Sequence, residues 1–334
     1  MNRCEELSLG SLAPSSRRAY TSAWKKFKDL AGSLGASPLP CSSADLKKVI
    51  SNFADSSRKF HAVKQMMAAV SFFHRLEGFS PPCSSPDVKL LVKGIKRMCF
   101  SAPKRAKPLT SDIVKSVIES LLGEDLRCSS YYDVSLRNWR TAACIVLSFS
   151  ALCRFDDMKK ITTDNISFED NRALVFIPSS KTDQFGEGQL VSIVASGNPS
   201  CPVFFLKAYF ARLLWESALE GKVYSGPFLP SLHRRRVTGP LGSCWSSLPP
   251  SSPSPIAYNC ALLDFRKALV GVVADPEAYG LHSGRRGGAT EAIRNGCDFL
   301  TLKRQGRWRS DNCPQLYVDD VLNRSSRFTS FLSI

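Results

Sequence analysis

Residues able to carry out phosphodiester chemistry are concentrated towards the end of the chain. His282 and Arg285 lie in the motif HSGR, and Trp308 ends the motif GRW. Tyr317 follows Trp308 by nine residues, from position 308 to position 317. This order supplies a proton carrier, a cation, an indole donor and a phenol. Together these groups could cut a phosphodiester through a covalent tyrosine intermediate.

Two arginines are the predicted clamp for the reacting phosphate. A phosphodiester under displacement builds negative charge on its non-bridging oxygens, and guanidinium groups hold that charge with paired hydrogen bonds. We assign this role to Arg154, within ALCRFDD, and to Arg285. Considered alone, Arg154 could be a surface arginine at a helix end, and Arg285 could open a basic, DNA-facing helix. Their combination with the other motifs favours the clamp.

The remaining candidates divide proton transfer and positioning between them. Tyr317 is the predicted nucleophile, and because a free phenol has a pKa of about 10, nearby cations must favour its ionised form. His282 could accept or pass the tyrosine proton, and Lys181, on a hairpin turn, could protonate the leaving oxygen. Trp308 can donate its indole N–H to the phosphate but transfers no proton, so we expect it to act as a positioner. Singly, each of these residues is more often a packing or solvated side chain.

Asp157 is expected to have a supporting role. It follows Arg154 by one helical turn if the helix continues, and it could orient the arginine or His282 through a hydrogen bond. The neighbouring Asp156 and the run MKK also fit an ordinary solvated face.

The elements that must position these residues fall into two groups. In the first hundred residues, apolar side chains spaced by four and three indicate one helical face, formed by Tyr20, Trp24, Phe27, Ala31 and Leu34. Further helices are predicted at 44–53, 60–76 and 87–99, separated by turns that contain Pro and Ser. A basic, Pro-containing linker at 101–107 divides the chain into domains 1–104 and 105–334.

In the second domain, we expect helices around one small sheet. A strongly apolar helix ends near Arg154, and two β-rich runs, 173–177 and 190–194, form a hairpin with Lys181 near its turn. The Pro-rich segment 234–255 is predicted to be a surface loop. Other helices are predicted at 203–215, 260–273, 285–295, 299–305 and around Tyr317.

Bulk composition narrows the class of partner. The 334 residues carry a formal net charge of +16 with a pI near 9.4 and 43% hydrophobic residues, which favours a folded protein with a polyanionic partner, first of all nucleic acid. The sequence has no apolar run of about 18 residues and no apolar core at its N-terminus, so we expect neither a membrane span nor secretion. Its twelve cysteines form no CxxC pair and its four histidines complete no finger-like spacing, so a structural zinc site is not favoured.

Basic side chains outside the clamp are the predicted DNA contacts. Charge runs are more often solubilising faces, but the net excess of cations favours double-stranded DNA. Affinity should then fall steeply with salt, because each phosphate contact releases counterions. The predicted contacts are Arg17, Arg18, Lys25, Lys64, Lys104, Arg105 and Lys107.

The motifs, in this order, resemble those of the tyrosine recombinases, also called phage-integrase-like site-specific recombinases. The resemblance runs from about Leu109 to Tyr317. It rests on the motifs ALCRFDD, SKT, HSGR followed by GAT, GRW, and the tyrosine nine residues beyond, from position 308 to 317. The segment SKTDQFGEG is also similar to the sequences of recombinases from animal DIRS-like and Crypton-like mobile elements.

The resemblance implies a mainly α fold with a small β-sheet, in which 1–104 is a helical core-binding domain and 105–334 the catalytic domain. It further implies strand exchange through a 3′-phosphotyrosyl link and a Holliday junction, in a homotetramer on DNA. No cofactor or metal is expected, because the arginines and Lys181 supply the positive charge. A C-terminal segment containing Phe328, Phe331 and Leu332 is expected to dock on a neighbouring subunit, the alternative being that it folds back onto its own domain. The expected location is nuclear in a eukaryote and cytoplasmic in a prokaryote.

Two other functions fit the same sequence. A domesticated DNA-binding protein could keep the fold without strand exchange, and a type IB topoisomerase-like enzyme could use the same chemistry to relax supercoils. A transposase that uses carboxylates and metal is less favoured, because no set of three acids stands out.

Overall fold

The structure, a computed structural model, describes residues 3–57, 59–99, 105–123, 134–183, 185–197, 200–218, 223–239, 242–248 and 253–322. The chain divides into two compact units, 1–104 and 105–334. In the described ranges, helices predominate and the strands form one sheet of three strands and one hairpin. The predicted mainly α fold with a small β-sheet is therefore confirmed.

The first unit is helical throughout its described elements. Its helices are α1 (Arg3–Gly10), α2 (Pro14–Ser33), α3 (Ser43–Ser57), α4 (Phe60–Leu76) and α5 (Pro86–Met98). Trp24 and Phe27 lie on the buried stripe of α2, and the Trp24 ring stacks on Phe73 of α4 with centroids 5.0 Å apart. Leu34, predicted on this stripe, instead lies past the end of α2 and is exposed, because the helix ends one residue before it.

The second unit contains the other helices and the strands. Its helices are α6 (Ser111–Leu122), α7 (Leu136–Ser150), α8 (Phe155–Met158), α9 (Pro202–Ala218), α10 (Tyr258–Ala268), α11 (Ser283–Arg294), α12 (Phe299–Gly306) and α13 (Asn312–Leu322). Its strands are β1 (Ile166–Glu169), β2 (Arg172–Ile177), β3 (Gln189–Val194), β4 (His233–Gly239) and β5 (Gly242–Leu248).

The three-stranded sheet is an antiparallel meander in the order β1-β2-β3. Val175 of β2 pairs with Val191 of β3, and both side chains are buried because alternate residues of a strand share one face. The sheet thus includes the predicted hairpin and adds β1, which the sequence analysis missed. The prediction of a surface loop at 234–255 was wrong where β4 and β5 lie, because these strands pair as a second antiparallel hairpin.

The core of the second unit is built around α7. Trp139 and Leu147 of this helix are fully buried, and α6, α9, α10 and α11 pack against it. The approach of α11 is close because its glycines lack side chains. A Cβ added to Gly284 would lie 2.0 Å from Ser148 Oγ, and one added to Gly288 would lie 2.0 Å from the Phe149 carbonyl oxygen. Glycine therefore fixes the start of α11 against the end of α7.

Candidate active site

The turn after α7 carries Arg154. α7 ends at Ser150, and Leu152 then adopts a left-handed backbone with φ of 49°. Arg154 follows as the N-cap residue of α8. The helix, predicted to end near Arg154, therefore ends at Ser150, because the left-handed residue reverses the chain before the arginine.

Asp157 contacts Arg154 within this turn. Its Oδ2 accepts a hydrogen bond from the Arg154 backbone N–H at 3.2 Å and lies 3.8 Å from Arg154 Nη1. Asp157 is only 1% exposed. Arg154 Nη1 is also buried, and among the described residues it has no hydrogen-bond partner. The aspartate thus orients the arginine through a helix-capping contact and a 3.8 Å ion pair.

Lys181 lies in the segment that joins β2 to β3, as predicted. The turn is held by Asp183, whose carboxylate accepts hydrogen bonds from the backbone N–H groups of Gly186, Glu187 and Gly188. These bonds, that from Gly188 first, lower the pKa of Asp183. On the opposite side, Thr182 donates its hydroxyl to the Arg307 carbonyl at 3.2 Å. Lys181 is exposed on this anchored segment.

Arg285 lies in the first turn of α11 and is 1% exposed. Its Nη1 donates to the Leu152 carbonyl, and its Nη2 donates to the Gly306 carbonyl at 2.6 Å. Burial lowers the pKa of Arg285 to about 10, and the charges of Arg154 and Arg307 contribute. The two predicted clamp residues therefore differ: Arg285 uses both terminal nitrogens on backbone carbonyls, whereas Arg154 keeps one that has no hydrogen bond within the described ranges.

His282 stands immediately before α11, at the N-cap position. Part of its side chain is exposed, yet packing around the ring lowers its pKa from the ordinary value. The charges of Arg285, Arg154 and Lys181 lower the pKa further, and the charge of Asp157 opposes them. The neutral imidazole is thus favoured near neutral pH, and a neutral imidazole can accept a proton.

Trp308 lies between Arg285 and Tyr317. Its ring centroid is 4.4 Å from the guanidinium carbon of Arg285 and 5.5 Å from the Tyr317 ring. Trp308 is buried, and it packs with the half-buried Tyr317 in a small cluster that includes Leu152. Gly306 permits the indole to fold back, because a Cβ there would lie 1.9 Å from the ring. The Tyr317 charge in turn raises the pKa of Arg285, which places the phenol within the electrostatic range of that guanidinium.

The structure brings all six predicted catalytic residues to one region of the second unit. Arg154, Lys181 and Arg285 all act electrostatically on His282, and Trp308 joins Arg285 to Tyr317. A cleft of about 320 Å³ opens beside them, between the β2–β3 segment and α12. The arrangement offers a cationic surface, an imidazole able to accept a proton and a phenol, which are the groups needed to displace one oxygen of a phosphodiester.

One functional candidate was missed by the sequence analysis. Arg307 was noted only as the middle residue of GRW, yet it is buried with a left-handed backbone of φ 56°. Its Nη2 lies 3.4 Å from Asp157 Oδ2. The only sequence signal was an arginine between a glycine and a tryptophan, and that pattern does not indicate a contact with Asp157. Only the fold brings the two side chains together.

The predicted DNA contacts are distributed over both units. Arg17, Arg18 and Lys25 of α2 and Lys64 of α4 are exposed in the first unit. In the second unit, the exposed Arg105 and Lys107 precede α6, and the Lys107 backbone N–H donates to the Ala278 carbonyl at 2.9 Å. Lys104 lies outside the described residues, as does the predicted docking segment with Phe328, Phe331 and Leu332.

Neither a metal cluster nor a membrane helix is found within the described ranges. Groups of three or more His, Cys, Asp or Glu side chains that could hold a metal ion do not occur in these residues. The helices of the same ranges lack the combination of length and hydropathy needed to traverse a bilayer.

The chain is similar to known recombinases in sequence and in fold. An integrase/recombinase XerD homolog of Selenomonas ruminantium is 26% identical over 330 residues, covering 94% of this chain and 86% of the relative. The Tn1549 transposon integrase in complex with transposon right end DNA matches with a TM-score of 0.60 at 12% identity, covering 97% of this chain and 96% of that one. A lambda integrase tetramer bound to a Holliday junction matches with a TM-score of 0.51 at 13% identity, covering 94% and 75%.

These comparisons bear on the resemblance predicted from the motifs. The solved structures share its fold, and the relative shares its sequence along nearly the whole chain. The resemblance to the tyrosine recombinase and integrase family is therefore confirmed. No family model matches the chain. The looser similarity to recombinases of DIRS-like and Crypton-like elements stays a prediction.

Proposed function

We propose that the protein is a site-specific DNA recombinase or integrase that cleaves and rejoins strands through a 3′-phosphotyrosyl intermediate. The observation that carries the proposal is the meeting of Arg154, His282, Arg285 and Tyr317 in one cationic region, although they come from separate elements of the fold. The similarity to an integrase/recombinase XerD homolog over 94% of the chain supports it.

The proposed cleavage begins with Tyr317. Its hydroxyl oxygen bonds to the scissile phosphorus, and the bond from phosphorus to the 5′ oxygen breaks. The neutral His282 accepts the phenolic proton, which the lowered pKa of the imidazole favours. Lys181 supplies a proton to the departing 5′ oxygen. Strand rejoining reverses the same steps. Because the phosphotyrosyl bond conserves the energy of the broken phosphodiester, no cofactor is needed to reseal the strand.

The arginines and Trp308 stabilise the transition state in this proposal. Arg154 directs its partly exposed guanidinium at a non-bridging oxygen, where a charge-assisted hydrogen bond strengthens as negative charge develops. Arg285 stabilises the negative charge of the phosphate through its positive charge and not through a direct hydrogen bond, because its terminal nitrogens already bind backbone carbonyls. Trp308 holds Tyr317 by ring contact and donates its indole N–H to the phosphate.

The proposed oligomeric state of this chain follows that of a solved structure of the same fold. Because a lambda integrase of the same fold forms a tetramer on a Holliday junction, we propose the same multimer for this chain on double-stranded DNA. In this proposal, residues 1–104 form the core-binding domain and 105–334 the catalytic domain. Origin in a mobile element and a nuclear location in a eukaryotic host remain part of the proposal.

A nicked suicide duplex tests the chemistry. The cognate site is first selected from a random-sequence library by binding, and the nick then lets the 5′ fragment diffuse away after cleavage. We expect a covalent protein–DNA adduct on a denaturing gel, formed equally well in excess chelator, and none from Tyr317→Phe. Binding by Tyr317→Phe should be retained, which serves as the control for folding.

Other outcomes distinguish the alternative functions. Sequence-selective binding without an adduct would indicate a domesticated DNA-binding protein. Relaxation of a supercoiled plasmid that lacks the selected site would indicate a type IB topoisomerase-like enzyme. An adduct that persists in Tyr317→Phe would show that another residue is the nucleophile.

A further inference from the structure

Arg307 has an unusual position for a charged residue. It closes α12 in the left-handed conformation, with φ of 56°, and its side chain is only 3% exposed. For a residue other than glycine, this backbone conformation is disfavoured. The reversal turns the guanidinium inward, beneath the turn that carries Arg154.

The guanidinium of Arg307 ties that turn to α12. Its Nη1 donates to the carbonyls of Ala151 at 3.0 Å and Gln305 at 3.1 Å. Its Nη2 donates to the Leu152 carbonyl at 3.0 Å and to Asp157 Oδ2 at 3.4 Å. A planar fork with several fixed donors can make these bonds together, whereas the single ammonium of a lysine cannot.

Asp157 is shared between two guanidinium groups. Oδ2 lies 3.4 Å from Arg307 Nη2 and 3.8 Å from Arg154 Nη1. Only the Arg307 contact is a hydrogen bond, and Arg154 Nη1 has no hydrogen-bond partner among the described residues. A buried carboxylate that loses its counter-charge is strongly destabilised, so it draws in the nearest remaining cation. Without Arg307, that cation is Arg154.

We propose that Arg307 is a positioning residue for the strand-transfer reaction. It neutralises Asp157, so that the aspartate caps the backbone N–H of Arg154 and stays 3.8 Å from its guanidinium, too far for a hydrogen bond. The guanidinium of Arg154, whose side chain is 17% exposed, then remains available to the scissile phosphate. This inference rests on the proposed function, because it assumes that Arg154 binds that phosphate.

The test measures the single-turnover rate of adduct formation on the nicked suicide duplex that carries the selected site. Arg307→Gln should slow adduct formation on the order of 10- to 100-fold, since one charge-assisted contact of the transition state is lost. Adding Asp157→Asn to Arg307→Gln should restore the rate at least about tenfold, because the neutral amide no longer draws Arg154 away while its oxygen still caps the backbone. A residue that merely supports the fold would show no such rescue.

The matched control is Arg172→Gln, which removes a positive charge from an exposed arginine of β2 that pairs with Glu169. It should leave the rate unchanged. Thermal unfolding of each variant separates loss of fold from loss of positioning. Should Arg307→Gln fail to fold, Asp157→Asn alone decides the matter, because it should slow the reaction less than Arg154→Ala does.

Three results would overturn the inference. The first is that Arg307→Gln forms the adduct as fast as the unsubstituted protein. The second is that Asp157→Asn does not restore the rate in a folded double variant. The third is that Asp157→Asn alone reacts as slowly as Arg154→Ala. In each of these the unsubstituted protein still forms the adduct, so the proposed function survives. Failure of the unsubstituted protein to form any adduct would overturn both.

Discussion

The indole of Trp308 packs against the ring of Tyr317, with centroids 5.5 Å apart and planes inclined at 42°. The same indole lies against the guanidinium of Arg285 at 4.4 Å. Trp308 therefore has two separable functions in the proposed site, namely the support of the tyrosine by its ring and the donation of a hydrogen bond by its N–H.

Substitution of Trp308 should separate these functions. Trp308→Phe keeps an aromatic ring beside Tyr317 but loses the donor, so adduct formation should slow about tenfold, the equivalent of one hydrogen bond. Trp308→Ala also creates a cavity, so it should lower the free energy of unfolding by about 3 to 5 kcal/mol and slow the reaction further. Rates on the nicked duplex and thermal unfolding measure the two effects. Equal rates for the two variants would show that the ring contact contributes nothing.

The pH dependence of cleavage should report His282. Its pKa is lowered in the folded protein, so the neutral form that accepts the tyrosine proton persists below the ordinary histidine pKa of about 6.5. As pH falls through the lowered value, the imidazole is protonated and the rate should fall. We therefore expect the acidic limb of the rate profile to have its midpoint below that of a free histidine.

Removing the negative charge of Asp157 should shift the pH profile of cleavage further. Asp157 raises the pKa of His282, so Asp157→Asn should move the acidic limb to still lower pH. Single-turnover rates measured across the pH range on the nicked duplex provide the check. A limb that moves to higher pH, or one that survives His282→Gln, would remove His282 as its origin.

The close approach of α11 to α7 should depend on Gly288. An alanine there would place its methyl 2.0 Å from the Phe149 carbonyl oxygen, so the helices must separate. We expect Gly288→Ala to lower the free energy of unfolding by about 1 to 3 kcal/mol, as overpacking does. Gly280→Ala is the matched control, because nothing lies within 4 Å of its added Cβ. Denaturant unfolding compares them, and equal stabilities would contradict the close packing.

The basic face of α2 should contribute phosphate contacts. Arg17, Arg18 and Lys25 are exposed on one side of this helix, and their joint replacement by Gln should reduce the salt slope of DNA affinity by up to about 3, close to one per contact. The control is Lys26→Gln, since the Lys26 ammonium lies 4.5 Å over the Phe53 ring. Fluorescence anisotropy at several salt concentrations measures both slopes. An unchanged slope in the triple variant would restrict these cations to a solubilising role.

Much of the fold followed from local patterns. The repeat of Trp24, Phe27 and Ala31 marks the buried side of α2, and the β-rich runs around Lys181 form the expected hairpin. Boundaries failed where one residue reversed the chain, as at Leu152, whose left-handed backbone ends the apolar helix before Arg154. Periodicity carries no signal for such a reversal, because it depends on the contacts that the turn makes elsewhere.

The sequence alone determined which chemical groups the protein has and their order along the chain: arginine, lysine, histidine, arginine, tryptophan and tyrosine. Tertiary structure decided what each group can do. Arg285 is buried with its terminal nitrogens on the Leu152 and Gly306 carbonyls, while Nη1 of Arg154 has no hydrogen bond in the part of the chain that the structure describes. The counter-charge on Asp157 comes from Arg307, which is distant in sequence. Hydrogen bonds and burial depend on distances in space, and those distances are fixed only when α7, α11 and α12 pack together.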